Sequence, residues 1–138
     1  MKTRKNALIG LALIFGLTAC AHERVTHFGR PDPHNPRVHI AAGSFVVVDQ
    51  EPIYVSLKEK NFLITWHLPA VSGYVFPDDG IVIAKPDGEF DCKVQPGGER
   101  FSCTFRNSKP GRYKYTIKVL DREKGKLLEP LDPFIVNG

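Results

Sequence analysis

An all-β fold, an antiparallel sandwich of about seven to nine strands, is what this 138-residue sequence predicts. Three observations lead there. Short runs rich in Val, Ile, Phe and Tyr recur, and the best of them alternate. Tyr113, Tyr115, Ile117 and Val119 point one way, and Arg112, Lys114, Thr116 and Lys118 the other. Turn signals punctuate the runs at Pro77–Gly80, Pro86-Asp87-Gly88, Pro96-Gly97-Gly98 and Pro110-Gly111. Proline fits a turn through its fixed φ, glycine through its access to φ > 0, and a spacing of roughly 8–14 residues suits a sandwich or barrel. Beyond residue 19 no stretch has a 3.6-residue period, and there is no internal repeat.

The chain opens on a different kind of segment. Lys2, Arg4 and Lys5 form a positive start, and Ala7–Leu17 is an apolar run broken only by Gly10 and Gly16. Residues 7–19 would reach only about 20 Å as a helix, against a hydrocarbon core of roughly 30 Å. A cleaved signal peptide over residues 1–19 fits better than a membrane span. Leu17-Thr18-Ala19-Cys20 resembles the lipobox of bacterial lipoproteins. The resemblance implies cleavage before Cys20 and a diacylglyceryl group on its sulfur, leaving Cys20 as the first residue of the mature protein. It also implies attachment to the membrane through that lipid. Ala21 is not the aspartate that resembles an inner-membrane retention signal, so the expected address is the outer membrane, facing the periplasm.

Removal of residues 1–19 changes the charge. Three of the 19 basic residues leave and no acidic ones do, so 16 basic side chains face 15 acidic ones, and the formal +4 becomes +1. Nothing in that balance points to nucleic acid. The cysteines also resolve: with Cys20 lipidated, Cys92 and Cys103 remain, and an exported chain can keep them as a disulfide.

Residues 20–37 read as the lipidated cysteine and a flexible tether. Pro31, Pro33 and Pro36 extend the chain, and no apolar periodicity is present. Such a leash could hold a domain up to about 50 Å from the lipid. The sandwich domain is expected over residues 38–138. Its strand candidates are Ser44–Asp49, Ile53–Leu57, Phe62–Leu68, Ile81–Ala84, Glu89–Val94, Arg100–Arg106, Arg112–Leu120 and Phe134–Val136. A charged turn, Lys58–Asn61, separates the second and third.

One hairpin can be read to its register. Placing the turn on Gly97-Gly98, the φ > 0 pair favoured in two-residue hairpins, sets Cys92 opposite Cys103, Phe90 opposite Phe105 and Val94 opposite Phe101. All six share one face. The other face carries Glu89, Asp91, Lys93 and Gln95 against Arg106, Thr104, Ser102 and Arg100, with Glu89 opposite Arg106. A slip of one residue would break the disulfide, the apolar face and the charge pairing together. The closed loop is short, so the bond should contribute about 3 kcal/mol or less.

The alternating run Gly111-x-Tyr113-x-Tyr115-x-Ile117-x-Val119-x-Asp121 resembles the penultimate strand of immunoglobulin-like modules, particularly PKD and fibronectin type III domains. Ile64-Thr65-Trp66 resembles their core-tryptophan strand. The resemblance implies an immunoglobulin-like sandwich, with Tyr113 as the candidate for a tyrosine corner to nearby backbone. The intra-hairpin disulfide departs from antibody domains, where the bond bridges the two sheets.

Several groups invite a chemical reading. His22, His27, His34 and His39 lie in or beside the tether with Asp32, but their gaps are irregular and an open tether does not hold metal ligands in place. His67 follows Trp66 on a strand and should face away from it. Asp78-Asp79, Asp87, Glu89 and Asp91 lack EF-hand spacing, and turn chemistry explains Pro-Asp-Asp-Gly and Pro-Asp-Gly without calcium. No nucleophile elbow and no phosphate loop occur. No metal, cofactor or catalytic residue is expected.

Pro69–Gly80 admits two readings. It is long for a hairpin connection and carries Val71, Tyr74, Val75 and Phe76. The favoured one is an extra edge strand at Gly73–Phe76 with inward aromatics. In the other, Tyr74 and Phe76 anchor a protein partner, and the outward Arg112, Lys114 and Lys118 attract its acidic surface. The expected function is therefore a lipid-anchored, non-catalytic binding or interaction module with a protein partner in the envelope. An immunity or inhibitor lipoprotein that neutralises an envelope-acting enzyme or toxin is the alternative, and a metal-handling or enzymatic accessory role the second alternative.

Overall fold

The computed structural model describes residues 30–138, so the expected signal peptide over residues 1–19, Cys20, His22 and His27 lie outside the described residues. Twelve strands follow in order: β1 Val38–Ala41, β2 Phe45–Val48, β3 Ile53–Val55, β4 Phe62–His67, β5 Tyr74–Val75 and β6 Ile81–Ile83. Then come β7 Phe90–Val94, β8 Arg100–Phe105, β9 Gly111–Ile117, β10 Leu120–Asp121, β11 Lys126–Leu127 and β12 Phe134–Asn137. The fold is all-β and sandwich-like. The count exceeds seven to nine because β5, β10 and β11 are two-residue strands in a small side sheet, ordered β11-β10-β5. Segments that short carry almost no periodic signal.

Two sheets supply the layers, β4-β8-β7 and β3-β12-β9-β6. Their inner faces meet in one core. Trp66 of β4 is fully buried against Tyr115 of β9, ring centroids 5.3 Å apart, and its Nε1–H donates to the Tyr115 hydroxyl at 3.4 Å. Phe105 of β8 meets Tyr113 of β9 edge to face. The β1–β2 hairpin adds Val38, Val46 and Val48 to the same cluster.

The β7–β8 hairpin has the expected register throughout. Phe90 faces Phe105, Cys92 faces Cys103 and Val94 faces Phe101, with Cys92 and Cys103 bonded. Gly97 and Gly98 take φ of 89° and 77°, values that β-carbon-bearing residues adopt only with strain. The charge pairing differs. Glu89 is buried, and its carboxylate accepts from the Ser108 backbone N–H at 2.9 Å and from the Ser108 hydroxyl. Two donors at one turn outcompete an exposed Arg106, and they hold the Glu89 carboxyl below its usual range.

Lys58–Asn61 does not close a hairpin. It carries the chain from β3, which pairs in parallel with β12, to β4, which pairs with β8 in the other sheet. Asn107, fully buried at φ 55°, clasps that crossing: its Nδ2 donates to Ser56 O and Glu59 O at 2.8 Å each. Asn137 of β12 donates to Asn107 Oδ1 and to Lys109 O, tying the last strand to the same point.

Residues 34–36, expected within the tether, pack against β4. Pro36 is fully buried, and His34 O and Pro36 O accept from Thr65 N and His67 N of β4 at 2.8 and 3.0 Å. Proline-rich composition reads as linker because proline donates nothing. The same segment keeps every carbonyl, however, and carbonyls can cap a strand edge. Tyr113 does not make the expected corner either. Its ring stands edge-on to Phe90 and Phe105 and lies over Gly111, where a Cβ would come within 2.9 Å of it.

Candidate functional site: the outer face of the β3-β12-β9-β6 sheet

Alternation along β9 decides which side chains reach solvent from this sheet. Tyr113, Tyr115 and Ile117 turn inward, while Arg112 and Lys114 are exposed and Thr116 is half-buried. Registers align the neighbours: Val136 of β12 lies between Tyr54 of β3 and Arg112 of β9, Phe134 lies opposite Lys114, and Val82 of β6 opposite Thr116. The outward surface therefore mixes Tyr54, Phe134, Val136 and Val82 with a cationic row.

The members of that row are not equivalent. Lys114 Nζ lies 2.9 Å from Asp132 Oδ2, and the Thr116 hydroxyl donates to Asp132 Oδ1 at 2.7 Å. Lys118, half-buried just past β9, donates to Asp79 Oδ2 at 2.6 Å. The Lys118 hydrogen bond lowers the Asp79 pKa, and the Lys114 and Thr116 bonds lower that of Asp132. Both lysines are thus held by carboxylates of their own chain. Arg112 instead lies flat over Phe134, its guanidinium carbon 3.9 Å from the ring centroid. Among the described residues no carboxylate comes within ion-pair distance of it. Glu51, Pro52 and Tyr54 rim the hollow beside this stacked pair, and Tyr54 is 68% exposed.

Tyr74 and Phe76 are not part of this face. Tyr74 lies on β5, paired with β10. Phe76 is buried, meets Phe101 edge to face, and its N–H donates to Gly98 O at 2.7 Å. Phe76 thus points inward, as the edge-strand reading expects, while Tyr74 is half-buried and packs against the core. Val71, 95% exposed, is the large hydrophobic residue that the connection leaves in solvent. Sequence reasoning missed Tyr54 and Phe134. The signal was present, since both alternate with core residues on their strands, but strand candidates of only five and three residues gave no reason to single them out.

His67 faces away from Trp66, as expected, and is half-buried. Its Nε2–H donates to Asn35 Oδ1 at 3.1 Å, and Asn35 Nδ2 donates to Asp32 Oδ2 at 2.8 Å. Burial, then the nearby Arg100 and Arg37, lower the His67 pKa. His34 stacks on Phe62, and its Nδ1–H donates to Leu63 O at 2.8 Å. These histidines fasten the entering chain to β4. Among the described residues no three His, Cys, Asp or Glu side chains converge. No protein-family model and no curated protein matches the chain.

Proposed function

We propose that this protein is a lipid-anchored, non-catalytic binding module of the bacterial envelope, and that it docks an acidic protein partner on the outer face of the β3-β12-β9-β6 sheet. The observation that carries the reading is Arg112, stacked on Phe134 beside exposed Tyr54 and with no carboxylate partner among the described residues. Stacking fixes the guanidinium before any partner arrives, so less side-chain entropy is lost on docking. Arginine and tyrosine are the side chains that most often dominate docking energies. Lys114 and Lys118, already paired, add field rather than contact.

The fold reading extends to the immunoglobulin-like class. Take β4, β6, β7, β8, β9 and β12 as first to sixth. One sheet then runs first-fourth-third and the other second-fifth-sixth. This matches the B-E-D and C-F-G orders of immunoglobulin sandwiches. The anchor rests on Cys20 and its lipobox, with the outer membrane as its address.

A photo-reactive side chain at position 54 should trap a partner in the envelope, and one at position 71 should not. Arg112→Glu should abolish the adduct while shifting stability by less than about 0.5 kcal/mol. An adduct indifferent to Arg112→Glu would remove this face as the site. Cys20→Ser should release the protein from the membrane fraction, and unchanged fractionation would sink the anchor.

A further inference from the structure

The two edges of the β4-β8-β7 sheet are treated differently by the chain. The β4 edge is closed by His34 O and Pro36 O. Among the described residues, the β7 edge is open: β7 pairs only with β8. Within that pairing Arg106 N bonds Glu89 O and Gln95 N bonds Arg100 O, both at 2.8 Å, while Cys92 and Cys103 form a close pair with Cα atoms 4.0 Å apart. Hydrogen-bonded and close pairs alternate in an antiparallel ladder. The odd-numbered residues of β7 therefore bond β8, and the N–H and C=O groups of Phe90, Cys92 and Val94 point outward from the sheet edge. The same three residues are only half-buried, whereas their β8 partners Phe105, Cys103 and Phe101 are fully buried. No proline or bulge interrupts the strand, and its exposed charges are of opposite sign, Asp91 and Lys93.

We infer that β7 pairs antiparallel with β7 of a second copy of this chain, about a two-fold axis through Cys92. The strand is complementary to itself in that register. Cys92 faces its copy, Phe90 faces Val94, and Asp91 faces Lys93 twice. All the outward backbone groups then fall in hydrogen-bonded pairs. A slip by two residues either way sets Asp91 against Asp91 or Lys93 against Lys93, so the exposed charges select one register and disfavour its neighbours. The product is a continuous six-stranded sheet, β4-β8-β7 joined to β7-β8-β4, in which each Phe90, Cys92 and Val94 gains cover. The interface is isologous and closes at two copies. It leaves the β3-β12-β9-β6 face free for a partner.

Charge reversal tests this on the full-length protein by sedimentation equilibrium across a concentration series. Wild type should show a monomer–dimer equilibrium. Asp91→Lys alone and Lys93→Asp alone each place like charges opposite one another at both pairs, and each should weaken the dimer roughly tenfold or more. Mixed together, the two variants should form a heterodimer, since one strand then carries lysine at both positions and the facing strand carries aspartate at both. Both positions are exposed, so melting temperatures should stay near wild type and exclude misfolding. A strictly monomeric wild type overturns the inference. So do variants that dimerise as well as wild type, or a mixture that yields no heterodimer.

Discussion

β9 builds two unlike surfaces from seven consecutive residues. Inward, Tyr113 lies edge-on to Phe90 and Phe105, and Tyr115 packs on Trp66. Outward, Arg112 stacks on Phe134, and Lys114 and Thr116 share Asp132. Both sides hold an aromatic ring in a defined geometry, yet only the inner rings are withdrawn from water. Tyr115 is fully buried, while Phe134 is only half-buried. Burial, rather than contact, separates the side of β9 that holds the fold together from the side able to meet something else. Inner substitutions should therefore move stability, and outer ones should move recognition with stability nearly unchanged.

The largest effect should come from the inner side. Trp66→Ala removes the biggest fully buried side chain and should cost about 3–5 kcal/mol, lowering the melting temperature by more than ~10 °C. Tyr115→Phe keeps the ring and deletes only the acceptor of the Trp66 N–H, so about 1–2 kcal/mol is expected. Phe76→Ala should behave like a core truncation, about 3 kcal/mol or more, because Phe76 is buried against Phe101. Thermal unfolding measures all three. A Phe76→Ala protein that melts like wild type would put that ring back among the surface groups and blur the division between the faces.

How far these positions could be read from sequence depended on how local their partners are. The β7–β8 register was legible because its turn, its disulfide and its apolar face all lie within Phe90–Phe105. Phe76 was ambiguous because what buries it is distant in sequence: Gly98 O takes its N–H and Phe101 its ring. The 32–37 segment was misjudged for a related reason. Its composition describes how it behaves alone, while its carbonyls are used by β4, about thirty residues later. Arg112 was identified, but alternation gave only its direction. Its difference from Lys114 and Lys118 depends on Asp132, Asp79 and Phe134, which no periodic pattern relates to it.

The smallest effect should be a pH dependence that ranks three carboxylates by their surroundings. Glu89, Asp79 and Asp132 all have pKa values held below their usual ones in the folded chain, chiefly by hydrogen bonds from Ser108, Lys118 and Lys114 respectively. A depressed folded pKa adds stability that is present above the unfolded value and is lost as pH falls through the folded value. The loss should begin near pH 4.5 for Glu89 and near pH 3.8 for the two aspartates, their unperturbed values. Glu89 is buried, so its bonds are little screened. The side chains of Asp79 and Asp132 are 64% and 48% exposed, so solvent and salt should erase most of their share. Urea unfolding followed downward in pH through these values should therefore flatten visibly in Glu89→Gln and only slightly in Asp132→Asn. Added salt should remove the Asp132 contribution first. An Asp132→Asn variant that flattens the profile as much as Glu89→Gln would mean that the outer face carries stability after all, and the division of labour across β9 would fail.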